Sequence, residues 1–186
     1  MEKKLRVFDL SRSSSASSSP TDPYGSSSSP SSTSPSYEIG PGVHNGTIKS
    51  IVWGTDRNIL VTAADDKKIR WWDLRSRSPI GEYGLDGLVG SCELDSHASE
   101  GSNGGGVLSV AAGKSVYFFD GLQPGQLIKS VRTPYEVASV ALHGEQRKFV
   151  TGSSGDTWVR VWDFGEEREL GTSASRRCLL LRYHEC

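Results

Sequence analysis

Several residues in this chain have the types and spacing that chemistry uses. His44 and Asp66 could form a charge-relay pair, imidazole as base and carboxylate as its orienter, but such a pair needs a hydroxyl or thiol nucleophile beside it. The neighbours Asp65 and Asp66 invite an acid–base pair, yet adjacent side chains in a strand or tight turn point apart. Gly113-Lys114-Ser115 copies the end of a phosphate-binding loop, but the first glycine of that loop would fall at Leu108 and no helix follows. Asp163-Phe164-Gly165 spells the tripeptide that holds magnesium in protein kinases, without the catalytic-loop His-Arg-Asp or the glycine-rich loop that accompany it. Cys92, Cys178 and Cys186 are odd in number and share no ligand spacing, which argues against a zinc site and a disulfide framework. No catalytic, cofactor or metal residue is assigned, and no cofactor is expected.

The elements that hold these residues come from a repeat. The phrase Lys67-Lys68-Ile69-Arg70-Trp71-Trp72-Asp73-Leu74 returns as Leu5-Arg6-Val7-Phe8-Asp9-Leu10, as Ser115-Val116-Tyr117-Phe118-Phe119-Asp120 and as Trp158-Val159-Arg160-Val161-Trp162-Asp163-Phe164. Each is an alternating run closed by an aromatic residue and an aspartate. From Asp73 to Asp120 is 47 residues and from Asp120 to Asp163 is 43, close to the period of about 40–45 residues of a propeller blade. The 64 residues from Asp9 to Asp73 fit only when the 26 residues of the Ser/Pro-rich stretch Ser11 to Ser36 are set aside, which leaves 38.

The pairs Trp72-Asp73 and Trp162-Asp163, with Phe8-Asp9 and Phe119-Asp120 as variants, resemble the closing pairs of the WD40-repeat β-propellers. Within that superfamily the run Val61 to Asp73 is most similar to the serine-threonine kinase receptor-associated proteins. The resemblance implies an all-β fold, a partial WD40 propeller with about three four-stranded blades plus an orphan strand. It also implies a structural role for the polar residues. In this family a histidine before the first strand, a Ser or Thr in the second, an aspartate before the third and the tryptophan form a buried hydrogen-bonded chain, and His44, Thr62, Asp66 and Trp72 occupy those slots. A buried indole N–H needs an acceptor and a buried carboxylate needs donors, so the four satisfy one another. Asp156 stands six residues before Trp162, as Asp66 does before Trp72. Glu2 holds that slot before Phe8, Gly113 holds it before Phe119, and no histidine precedes Val137, so the middle blade is expected to lack the network. With this role assigned, the charge-relay reading of His44 and Asp66 is set aside.

The chain then divides into 1–10, the end of an incomplete blade; 11–36, a disordered insertion whose Ser-Pro pairs are potential phosphorylation sites; 37–169, the repeat region; and 170–186, a divergent tail. Leu5 to Leu10 reads as a strand whose partners should precede it, so the chain resembles a fragment. Strands are expected at Ile48 to Trp53, Asn58 to Ala63, Ile69 to Asp73 and Ile80 to Tyr83; at Val89 to Leu94, Val107 to Ala112, Val116 to Phe119 and Leu127 to Val131; and at Val137 to Leu142, Lys148 to Thr151 and Val159 to Trp162. The last blade offers no convincing fourth strand. Lys67, Lys68, Arg70, Arg75 and Arg77 cluster around one strand and read as a solvated edge.

The 21 basic and 22 acidic residues give a formal charge of −1, which supplies no bulk attraction to nucleic acid or an anionic membrane. No signal-peptide core follows the charged N-terminus, and no run of about 18 apolar residues is present. A cytoplasmic protein, also reaching the nucleus, is expected, with no membrane and no direct nucleic-acid contact. The family resemblance implies a scaffold that binds other proteins through loops and rim, not an enzyme. In the subgroup this means ribonucleoprotein-assembly factors of the survival-of-motor-neuron complex, with mRNA splicing as the process served, and receptor-kinase signalling. The alternatives are a translation initiation factor 3 subunit I-like scaffold and, from another class, a weak RNA-binding module.

Overall fold

The structure is a computed structural model, and it describes residues 5–8, 37–39, 44–97 and 104–174. Asp9, the Ser/Pro-rich stretch, Cys178, Cys186 and the end of the divergent tail lie outside the described residues. Among the described residues fourteen strands follow one another: β1 Leu5–Val7, β2 Tyr37–Ile39, β3 Ile48–Trp53, β4 Ile59–Ala64, β5 Lys68–Asp73, β6 Ser78–Gly84, β7 Val89–Asp95, β8 Val107–Ala112, β9 Ser115–Asp120, β10 Leu127–Arg132, β11 Val137–His143, β12 Lys148–Ser153, β13 Trp158–Asp163 and β14 Glu169–Ala174. They form three four-stranded antiparallel meanders, β3 to β6, β7 to β10 and β11 to β14, and one two-stranded sheet. The all-β partial propeller read from the repeat is the observed architecture.

Two strands correct the sequence reading. Leu5–Val7 is not an orphan, because it pairs antiparallel with Tyr37–Ile39, Leu5 opposite Ile39, so its partner follows it across the serine-rich stretch. Three residues between serines and a glycine are too short to show alternation. The third sheet also has its fourth strand: Glu169–Ala174 pairs with β13, Arg160 opposite Thr172. That segment carries one large apolar residue, Leu170, so no hydrophobic period announces it.

Burial explains which strands the pattern revealed. The middle strands β4, β5, β8 and β9 are covered on both faces, so Leu60 to Ala64 and all of β8 and β9 are buried and read as continuous apolar runs. Each sheet packs face to face on the next. Val61, Ala63, Ile69 and Trp71 of the first sheet meet Leu108, Val110, Tyr117 and Phe119 of the second. Val107, Ala111, Val116 and Phe118 on the far side of the second sheet meet Val140, Phe149 and Trp162 of the third. Leu60 and Trp72, on the other face of the first sheet, meet Leu5 and Ile39. The aromatic rings lock these layers edge to face, with Trp71 and Phe119 centroids 5.3 Å apart and Phe118 and Phe149 5.1 Å apart.

A second repeat exists only in three dimensions. In each meander the first strand is irregular at its second residue, leaving Lys49, Gly90 and Ala138 outside the pairing. The last strand is irregular at equivalent places too, leaving out Ile80, Ile128 and Leu170. Such bulges bend a strand and increase its twist.

Candidate functional site

The first sheet gathers His44, Thr62, Asp66 and Trp72 into one chain. Trp72 and Thr62 face the same side because β4 and β5 alternate, and His44 is carried in by the segment before β3. That segment reaches the network only because position 46 is glycine: a Cβ on Gly46 would stand 2.2 Å from the backbone nitrogen of Asp66. The Trp72 indole N–H donates to Thr62 Oγ1 at 2.8 Å, and the same hydroxyl lies 2.8 Å from His44 Nε2. His44 Nδ1 is 3.0 Å from Asp66 Oδ2, which also accepts the Asn45 backbone N–H at 2.9 Å.

Arg70 corrects the sequence reading of the basic cluster. It is not on a solvated edge, since only 5% of it is exposed. Its guanidinium donates to Asp66 Oδ2 at 3.2 Å and to Glu82 Oε2 at 2.7 Å, and reaches within 2.7 Å of His44 Nδ1. Glu82 also pairs with Lys68. The network therefore has six members, running from a buried indole to a half-exposed carboxylate. Burial holds the His44 imidazole below its ordinary pKa, against the opposing pull of Asp66, so the ring is neutral near pH 7. Burial alone would raise Asp66, but the bonds from Asn45, His44 and Arg70 outweigh it and hold this carboxyl below the usual range.

The third sheet reaches the same result with other residues. Trp162 donates to Thr151 Oγ1 at 3.0 Å, and the partner on the far side of that hydroxyl is the Tyr135 hydroxyl at 2.7 Å. Asp156 does not join Trp162 through an imidazole. It pairs with Arg160 at 2.7 Å, and Arg160 stacks on the Tyr135 ring. Thr151, Tyr135 and Arg160 were missed in the sequence; Thr151 could have been found from its spacing, because it stands 11 residues before Trp162 and Thr62 stands 10 before Trp72.

In the second sheet the slots are apolar. Val110, Tyr117 and Phe119 stand where Thr62, Arg70 and Trp72 stand in the first, and Gly113 replaces Asp66. Phe119 packs instead on Trp71 and Tyr83. The closing aspartates cap turns: Asp73 accepts the Arg75 N–H, Asp120 the Leu122 and Gln123 N–H groups, and Asp163 the Glu166 N–H. Phe8 is described and 46% exposed. No cluster of three or more His, Cys, Asp or Glu side chains that could hold a metal occurs among the described residues.

The WD40 family model, described as WD domain, G-beta repeat, matches residues 41–73 and 125–163. Both matches close on a Trp-Asp pair. The chain is a WD40-repeat protein. The match skips 74–124, which holds most of the sheet whose network slots are apolar. The chain is 32% identical to the serine-threonine kinase receptor-associated protein of Dictyostelium discoideum over 170 residues, covering 91% of this chain and 47% of the relative. It is 29% identical to the human serine-threonine kinase receptor-associated protein over 128 residues, 68% of this chain and 33% of the relative. It is also 32% identical to the U5 small nuclear ribonucleoprotein 40 kDa protein of Dictyostelium discoideum over 136 residues, 72% of this chain and 36% of the relative. This WD40-repeat chain thus spans about half the length of the first of these relatives and about a third of the other two.

Proposed function

We propose that this WD40-repeat protein is a non-enzymatic scaffold that holds proteins together during ribonucleoprotein assembly. One observation carries the reading: the strongly patterned polar side chains, His44, Thr62, Asp66, Arg70 and Trp72 in one sheet and Tyr135, Thr151, Arg160 and Trp162 in another, are bonded to one another. Loops and rim are left as the surface for recognition. The names of the relatives point the same way, one to a kinase receptor and one to a small nuclear ribonucleoprotein. We place the chain with proteins serving the survival-of-motor-neuron complex and receptor-kinase signalling, in the cytoplasm and nucleus.

Affinity purification of the tagged full chain, with and without ribonuclease and followed by mass spectrometry, tests this. Ribonucleoprotein-assembly or splicing proteins should be retained after ribonuclease, because a net charge of −1 offers no large counterion-release contribution to RNA binding. Loss of every partner on ribonuclease treatment, or turnover of a substrate by the purified chain, overturns it. Recovery of translation-initiation subunits moves the assignment to that complex.

A further inference from the structure

The WD40 network explains the interior of the sheets but not a groove on one of their edges. The turns joining second to third strands and the linkers joining one sheet to the next enclose about 810 Å³ there, within the size of ligand clefts. Lys67 comes from the β4–β5 turn, Lys114 from the β8–β9 turn and Arg132 from the end of β10, and Leu88 from the β6–β7 linker shares the lining. The backbones beneath are in contact, since a Cβ on Gly87 would stand 2.5 Å from the Gly113 Cα. Close-packed main chain therefore underlies the groove, where Gly90 also approaches the Ala138 backbone.

Charge separates this groove from the rest of the surface. Many cations elsewhere are paired, Lys49 with Asp65, Lys68 and Arg70 with Glu82, Lys129 with Glu167 and Arg160 with Asp156, while Arg57 and Lys148 stand singly on other parts of the surface. Lys67, Lys114 and Arg132 are exposed and have no ion pair among the described residues. Two carboxylates share the lining, Asp86, which is hydrogen-bonded to the Tyr117 hydroxyl, and Glu136, so three cations outnumber two anions there. Leu88 is the most exposed large apolar side chain among the described residues, at 59%.

We propose that this groove takes an acidic linear segment of a partner protein, its carboxylates set by Lys67, Lys114 and Arg132 and one apolar side chain seated on Leu88. The proposal rests on the scaffold reading and names the chemistry of one partner. Opposite charge speeds encounter and fixes register, while the apolar contact supplies affinity that salt does not screen. RNA fits less well. No aromatic side chain lines the groove for a base to stack on.

Fluorescence polarisation of the full chain tests this with three labelled probes: a nonapeptide of one central leucine flanked by glutamates, the same peptide with lysines for the glutamates, and a nine-nucleotide single-stranded RNA. The glutamate peptide should bind, the lysine peptide should not, and Lys114→Glu with Arg132→Glu should weaken binding about tenfold or more. Leu88→Asp should weaken it at high salt as well as low, and Arg57→Glu, on the opposite edge, should leave it unchanged. Near-ultraviolet circular dichroism verifies that each variant folds. Absence of glutamate-peptide binding, equal loss with Arg57→Glu, or tighter binding of RNA at the same cations overturns the proposal. If the double variant loses the peptide in polarisation yet keeps all its partners in the affinity purification, the groove is not the docking site and the scaffold reading stands. If the wild-type chain retains no partner at all, the scaffold reading is what falls.

Discussion

The guanidinium of Arg160 lies 3.9 Å from the centre of the Tyr135 ring. Through this stack the third sheet does without a histidine. In the first sheet Arg70 touches the His44 ring, bonds Asp66 and thereby orders the imidazole that meets Thr62. In the third, Arg160 bonds Asp156, covers the Tyr135 face and thereby orders the phenol that meets Thr151. The two arginines stand at the same place, two residues before each tryptophan.

Removing the Tyr135 hydroxyl separates its two roles. Tyr135→Phe keeps the stack and loses the bond to Thr151, and should lower stability by about 1 kcal/mol, whereas Tyr135→Ala removes both and should cost about 3 kcal/mol or more. Urea unfolding monitored by tryptophan fluorescence measures the difference, and equal midpoints for the two variants would show that the ring contributes nothing.

Arg70 should matter far more than its neighbours in the basic cluster. Arg70→Leu leaves Asp66 without a buried cation and should destabilise the chain by about 3 kcal/mol. Glu82→Gln should cost less than about 1 kcal/mol, because that carboxylate is 43% exposed and screened. Chemical denaturation of both variants decides whether the burial of Arg70 sets its importance.

Acid should weaken the fold in two separate windows. The folded pKa of His44 is depressed by burial, so below its ordinary value of about 6.5 the unfolded chain binds a proton that the folded chain refuses. Stability is therefore full above about pH 6.5, falls as the pH drops, and levels off once folded His44 is itself protonated. Asp66 is depressed as well, and its contribution persists above the ordinary carboxylate range and disappears only as the pH falls through its lower folded pKa. His44→Gln should remove the first window and make the second shallower without abolishing it, because Asp66 loses the His44 bond but keeps those from Asn45 and Arg70, as read from urea midpoints between about pH 7.5 and pH 3.

Two tryptophans in equivalent repeats should behave differently. Trp72 is 1% exposed and Trp158, at the opening of β13, is 42% exposed. Trp72→Ala should cost about 3–5 kcal/mol and Trp158→Ala less than about 1 kcal/mol. Thermal melts of the two variants give the comparison, and equal shifts would contradict the assignment of Trp72 as the anchor.

The sequence made the fold legible wherever a repeat had a fixed offset. Asp66 and Trp72 are separated by one short turn and half a strand, so their spacing survives between copies and can be counted. Arg70 could not be assigned this way, because its burial depends on the neighbouring sheet and on Glu82 in the next strand. Tyr135 escaped because a longer side chain reaches Thr151 from two residues before β11, while His44 starts four residues before β3. The strand β2 escaped because three residues are too few to show a period, and β14 because Leu170 is its one large apolar residue. The turn at Gly113 was legible as a gap in the network, but its aromatic replacement by Phe119, Trp71 and Tyr83 was not, since that depends on which faces meet.

The bulges at Ile80, Ile128 and Leu170 bear on a hazard that repeated β-sequences carry. These residues are 36–44% exposed aliphatics on the outermost strand of each meander, the composition from which fibrils grow. At each of them the ladder skips a residue, with Trp71 opposite Gly81 but Trp72 opposite Pro79 in the first meander. The row of free amide and carbonyl groups on that border is therefore out of phase above and below the bulge. A stray strand that aligned with one half would be misaligned with the other, so the kink recurring in all three meanders acts as a built-in guard against templated polymerisation.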